Sequence, residues 1–315
     1  MQRQYELIPS EVLDVAEDRS IRRHEIANRL TRVERRLMRY FARNQRLITC
    51  VGNIGLGKSS LVKLLAYATG MNALFELPDE GFEDYLVQNE SLGPLLATAK
   101  ESTKRTLGRY YAAIDEFIAC QTREPVESPA WMVAKRNVEQ GALDIQHAYL
   151  DLRRMQLQAV PNLVGSSCVD GSALADRYAF CEVLHGEMSP PYLTREALGV
   201  IDERLQREFK PLAQPSLLVV LEGPIEYLLQ NIRERQRNVE RSERDGDIPE
   251  GLLRLVTALN PRYAAFVETL RSTGWYRGPV LRIDASRIDF VSDVRHLIAV
   301  YEGIERLLVP RDFKE

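Results

Sequence analysis

Short apolar runs recur along the chain, each followed by a stretch whose apolar residues return at helical spacing. The runs are Leu47-Ile48-Thr49-Cys50-Val51, Ala73-Leu74-Phe75, Ser167-Cys168-Val169, Ser216 to Leu221, and Val280 to Ile283. Strands alternating with helices predict an α/β fold: a parallel sheet of about five strands flanked by helices. Four of the runs end in a carboxylate, at Glu76, Asp170, Glu222 and Asp284. Open parallel sheets place ligands at the carboxyl ends of their strands, so these four acids are the first residues to examine. Pro224 predicts a helix start running to about Arg237, and a last helix is expected over roughly Val291 to Leu308. Ahead of the first run, Ile26, Leu30, Val33, Leu37, Tyr40 and Phe41 follow a 4-3-4-3 rhythm. This is one helix with a narrow apolar seam, carrying nine arginines from Arg22 to Arg46 against Glu25 and Glu34. A dimerising or nucleic-acid-binding arm would use those arginines. The seam is too short for a sustained coiled coil, and we expect it to pack on the main domain. The organisation expected is a helical extension over 1–45 and one domain over 46–315. A helical insertion at about 85–131 is broken at Glu124-Pro125 and Ser128-Pro129.

The segment after the first run is Gly52-Asn53-Ile54-Gly55-Leu56-Gly57-Lys58-Ser59-Ser60, which fits G-x-x-x-x-G-K-[ST]. It lies between a strand and a helix marked by Leu61, Leu64 and Leu65 and ended by Gly70, the context that this motif requires. Glycines let successive backbone N–H groups turn inward around phosphate oxygens, and the helix N-terminus adds partial positive charge. Lys58 then reaches the β- and γ-phosphates, and the Ser59 hydroxyl ligates Mg²⁺. The sheet is therefore expected to be that of a P-loop NTPase fold.

A phosphoryl transferase also needs a base for the acceptor hydroxyl and charge neutralisation in the transition state. Glu76, 18 positions after Lys58 on the strand expected next, suits the base. Asp170 suits Mg²⁺ or its waters. Arg233, Arg235 and Arg237, at the end of a helix, could close over the phosphates as a lid. Glu124, in T-R-E-P-V-E-S-P-A-W, is a rival base, and Glu222 a rival metal carboxylate.

Composition sets bounds rather than adding chemistry. Hydrophobic content of 45%, charged content of 28% and a net charge of −3 imply no polyelectrolyte partner. Cys50, Cys120, Cys168 and Cys181 form no C-x-x-C pair, so a reducing cytoplasm is the expected setting. No apolar run reaches the roughly 18 residues of a membrane span, and the start lacks a signal-peptide core.

These motifs resemble the deoxynucleoside kinases, and in spacing the bacterial deoxyadenosine/deoxyguanosine kinase branch, from about Leu47 to Leu308. G-N-I-G-x-G-K-S-S resembles the family's P-loop, and F-E-L-P its Glu-Pro strand end, which implies that Glu76 is the catalytic base. The resemblance of I-Q-H-A-Y-L-D-L-R and D-G-S-A-L-A-D-R-Y-A-F implies Gln146, Arg153 and Asp176 around the nucleobase. R-Q-R-N-V-E resembles the family's lid, giving phosphate roles to Arg235 and Arg237 and the sugar 3′-hydroxyl to Glu240. I-D-A-S-R-I-D-F resembles the loop against the donor base, around Asp289 and Phe290. The implied activity is phosphorylation of a deoxynucleoside 5′-hydroxyl by ATP with Mg²⁺. The implied partner is a small nucleoside, without membrane or nucleic acid, with a homodimer left open. A nucleotide-binding homologue without transferase activity and a nucleoside monophosphate kinase are the other readings. The family's arginine after the strand-end acid is Gly171 here, and Arg177 or a lid arginine is the expected substitute. Gln236 replaces the lid glycine, Leu77 intervenes before the proline, and Ala134 stands where a sugar-binding tyrosine is expected.

Overall fold

The computed structural model describes residues 4–6, 23–77, 83–86, 92–235 and 248–313. A single sheet runs through it, built from β1 (Gln4–Glu6), β2 (Leu47–Gly52), β3 (Asn72–Leu74), β4 (Ser167–Asp170), β5 (Leu217–Glu222) and β6 (Val280–Asp284). The spatial order is β1-β6-β5-β2-β4-β3, and every pairing is parallel. β2 to β5 are almost wholly buried, as their continuous apolar runs require for strands covered on both faces.

The sheet has one strand more than the pattern predicts. β1 has no apolar run to announce it; Gln4, Tyr5 and Glu6 pair with Val280, Leu281 and Arg282 at the edge of the sheet. The extension before the P-loop domain thus contributes a strand as well as a helix.

That helix, α1 (Arg23–Arg43), packs by its seam. Val33, Leu37, Tyr40 and Phe41 are buried in the core shared with α2 (Lys58–Thr69) and the last helix. Arg29 and Arg36 reach Glu302 and Glu305 of that last helix at 2.6 and 3.0 Å. The second half of the seam is thus spent on packing within the chain.

On the other side of the sheet, α3 (Leu92–Arg123) and α4 (Pro129–Ala159) form a helical hairpin. Ser128 caps α4 by accepting from the Trp131 N–H, with Pro129 at the first helical position. The stretch expected as an insertion supplies α3, whose Tyr110, Ile114 and Phe117 are buried in one cluster with Val51, Val220 and Ile145. Besides short helical pieces between 160 and 186, the other helices among the described residues are α5 (Arg195–Phe209), α6 (Ile225–Arg235), α7 (Glu250–Ala264), α8 (Phe266–Ser272) and α9 (Val294–Leu308). α9 starts later than predicted because Asp293 caps it, accepting from the Arg295 N–H. No helix among the described residues is long and apolar enough to cross a membrane.

Candidate active site

β2 lies between β4 and β5, so the chain leaving β2 must cross over β4 to form β3. That reversal of direction opens a crevice at the strand ends, and the phosphate loop sits in it. Gly52 has φ 154°, and a Cβ there would lie 2.5 Å from the Leu221 carbonyl oxygen. Gly55, at φ 89°, would meet the Leu228 carbonyl at 2.9 Å. Both positions need glycine for close backbone approach as well as for conformation.

The loop is braced from within the protein. The buried Asn53 amide donates to the Val256 carbonyl and accepts from the Ile54 N–H, each at 2.8 Å. Its side chain is therefore a strut, and only its backbone is left to face a nucleotide. Asn231 on α6 donates to the Gly55 carbonyl at 2.8 Å. The Lys58 ammonium lies over the loop, donating to the Asn53 carbonyl at 3.1 Å.

Two spaces meet at this loop. The outer cleft is lined by Gly55 to Ser60, by Asp170 and by Asp289 and Phe290. Leu56 and Phe290 are almost fully buried, and the Phe290 ring backs Gly57. Asp289 turns its carboxylate onto the Val291 and Ser292 N–H groups, so it shapes its own loop. The inner cavity lies beyond Gly52 and holds Gln146, Arg153 and Asp176 on its walls. Lys58, Glu76 and Tyr149 line both spaces.

Ser59 and Asp170 are brought together by strand register, Asp170 standing opposite Cys50 two residues before the loop begins to turn. The Ser59 hydroxyl donates to Asp170 Oδ2 at 2.5 Å, while Asp170 Oδ1 is buried with no hydrogen-bond partner. A carboxylate oxygen left unsatisfied beside a P-loop serine fits Mg²⁺, which binds through one or two protein oxygens together with phosphates and water. Glu222, the rival metal carboxylate, is engaged by Arg282 at 2.5 Å.

Glu76 is fixed through its neighbour. The Phe75 N–H donates to Asp84 Oδ1 at 2.8 Å, and the Phe75 carbonyl accepts from Gln156 at 2.8 Å. Asp84 is held in turn by the buried Lys100 at 2.5 Å. Burial would raise the Glu76 pKa, but Arg153, Lys58 and the Tyr149 hydroxyl outweigh it and hold the carboxyl below its ordinary range. Glu124, the rival base, is exposed at the far end of the hairpin.

Gln146, Tyr149, Arg153 and Gln156 form one stripe of α4 at intervals of three and four residues. Arg153 is 2% exposed. It donates to Glu76 at 2.7 Å, to Asp176 at 3.3 Å and to the Asp170 carbonyl at 2.6 Å. Asp176 opens a π-helical turn, Asp176–Cys181, between short helical pieces. Burial pushes its carboxyl up to about 6, with Arg153 opposing and Glu76 reinforcing that shift.

One expectation needs correction. Arg177 is not a substitute for the residue missing at 171: its guanidinium is engaged by Asp202 and Glu182, each at 2.5 Å. Ala134 is buried inside the hairpin core. The cavity tyrosines are instead Tyr110, Tyr111, Tyr149 and Tyr263, which were not singled out in the sequence. Of these, Tyr149 was detectable, since it shares the helical face of Gln146 and Arg153. Tyr263 comes from a distant helix and carries no local signal. Arg235 ends α6, with its side chain outside the described residues, and Arg237 and Glu240 lie outside them altogether.

A P-loop, a strand-end acid beside the phosphate position and an enclosed cavity behind it define a phosphotransferase of the P-loop class. The chain matches the deoxynucleoside kinase family over residues 48–309 and belongs to that family. No curated protein matches it. Among solved structures it is similar to the deoxyadenosine kinase from M. mycoides with bound dATP, at 16% identity and a TM-score of 0.49, covering 82% of this chain and 99% of that one. It is similar also to the same kinase with products dCMP and a flexible dCDP bound, at 16% identity and a TM-score of 0.50, covering 82% and 98%.

Proposed function

We propose that this chain transfers the γ-phosphoryl group of ATP to the 5′-hydroxyl of a deoxynucleoside. One observation carries the reading: Glu76 and Lys58 line both the phosphate cleft and the enclosed cavity behind it, at the junction where a nucleoside hydroxyl would meet a γ-phosphate. In this reading Glu76 accepts the hydroxyl proton as a carboxylate already ionised at neutral pH. Lys58 and the loop amides hold the phosphates, so that attack is in line. Ser59 and Asp170 would hold Mg²⁺, which when bound neutralises charge across the phosphate oxygens. Gln146 and Asp176 face the base, and the Tyr149 ring forms part of the cavity wall. Arg235 and Arg237 are assigned to a lid and Glu240 to the sugar 3′-hydroxyl, on the resemblance of R-Q-R-N-V-E to the family's lid.

Purified protein with ATP, Mg²⁺ and each of the four deoxynucleosides tests this by product chromatography. A deoxynucleoside 5′-monophosphate is the expected product. Nucleotide binding with no product from any nucleoside would leave a binding protein without transferase activity. Product from monophosphates alone would make it a nucleoside monophosphate kinase. The cavity's only cations among the described residues are Lys58 and Arg153, and Arg153 is committed to carboxylates, which supports a neutral acceptor.

A further inference from the structure

Arg153 was expected to read the nucleobase, but its surroundings leave it little to read with. A guanidinium offers five N–H donors. Its Nε–H goes to Asp176, its Nη1 hydrogens to the Asp170 carbonyl and Gln156, and one Nη2 hydrogen to Glu76. One N–H remains, on the nitrogen bonded to Glu76. A bidentate contact with a base edge would require the almost fully buried guanidinium to give up charge-assisted bonds to Glu76 or Asp176, which is costly.

Gly171 explains how the guanidinium comes to lie there. It follows β4 at φ 84°, and a Cβ on it would fall 2.1 Å from Arg153 Nη2, 2.7 Å from Arg153 Cζ and 2.8 Å from Glu76 Oε2. No side chain fits at 171 while Arg153 bonds Glu76. The absence of an arginine at 171 is therefore the space that admits an arginine from α4.

We infer that Arg153 is a positioning residue for the base Glu76 rather than a reader of the nucleobase, and that Gly171 and Arg153 form an interlocked pair in which the glycine makes room for the guanidinium. This rests on the kinase reading above. Arg153 aims the Glu76 carboxylate toward the junction of the two spaces and keeps a cation beside the reacting oxygens. Recognition of the base then falls to Gln146 and Asp176, which line the same cavity.

The test is steady-state kinetics on wild type, Arg153→Ala, Arg153→Lys and Gly171→Ala, with added guanidinium ion as a rescue reagent. Arg153→Ala is expected to lower kcat by about 10²-fold, the order seen when one preorganised electrostatic contact is removed. The nucleoside KM should move less than about threefold, a shift well below one lost base contact. Millimolar guanidinium chloride should restore part of the lost rate, and Arg153→Lys should retain more activity than Arg153→Ala. Gly171→Ala, which displaces the guanidinium without removing it, should lower kcat in the same way. A structure of the wild type with nucleoside bound needs no variant to fold and should show the Arg153–Glu76 pair intact, with no Arg153 bond to the base. An Arg153→Ala enzyme with normal kcat and a raised nucleoside KM, a Gly171→Ala enzyme with wild-type kcat, or a bound base bridged by Arg153 would each overturn the inference while leaving the kinase reading standing. A wild-type enzyme that phosphorylates no nucleoside would overturn the functional reading, and this one with it.

Discussion

At the scale of single residues, the site sets two carboxylates against one guanidinium and gives them different titration ranges. Glu76 is held below the ordinary carboxylate range, whereas burial pushes Asp176 up to about 6. Ionised Asp176 accepts at both oxygens and carries charge, so as pH falls through about 6 it gains a proton and its charge-assisted hold on a base amino group weakens. The nucleoside KM is therefore expected to rise below about pH 6 while kcat persists to lower pH. Asp176→Asn should flatten that limb; a KM independent of pH between 5 and 8 in the wild type would contradict the assignment. A second prediction concerns the metal. Ser59→Ala removes the hydroxyl paired with Asp170, and half-maximal activity should then need more Mg²⁺, on the order of tenfold, as for other changes at metal-site partners. An unchanged Mg²⁺ titration would remove Ser59 from the metal site. The P-loop, Glu76 and Asp170 were legible because chain order places them at strand ends, where an apolar run announces the acid that closes it. Arg153's true partners were not legible. They depend on the φ of Gly171 and on the space beside it, neither of which leaves a mark in the pattern of residues.

At the scale of elements, packing decides which sequence signals survive. The seam of α1 was readable from its 4-3-4-3 spacing, and it docks on the core as a seam of that width can. Leu37 is fully buried there, so Leu37→Ala should cost roughly 2–5 kcal/mol, seen as a lower denaturation midpoint with little effect on kcat. The pairs from α1 to α9 are partly solvent-exposed, and Arg29→Ala should cost at most about 1 kcal/mol. A larger loss from Arg29→Ala than from Leu37→Ala would mean that charge rather than burial anchors the helix. β1 escaped notice because three residues pairing by backbone at a sheet edge need no apolar pattern. The hairpin of α3 and α4 was only half legible. Its breaks at Pro125 and Pro129 were visible, but the inward face of α3 could be recognised only beside the sheet and α4.

At the scale of the whole molecule, function follows from where the strand order reverses. The crossing from β2 over β4 to β3 brings the phosphate loop, the Ser59–Asp170 pair and Glu76 to one end of the sheet, though they are spread from residue 52 to residue 170. The hairpin then closes a cavity behind them, with Tyr110, Tyr149 and Gln146 turned inward. Neither half would suffice: the loop alone binds a nucleotide, and the cavity alone binds a small molecule. Their junction at Glu76 makes transfer between the two ligands feasible. The most direct measurement is single-turnover phosphorylation of a deoxynucleoside by wild type and by Glu76→Gln, with both ligands saturating. A loss of about 10²–10⁴-fold in the chemical step, the range for a general base, with ATP and nucleoside affinities nearly unchanged, is the predicted result. A Glu76→Gln enzyme that transfers phosphate at the wild-type rate would contradict it.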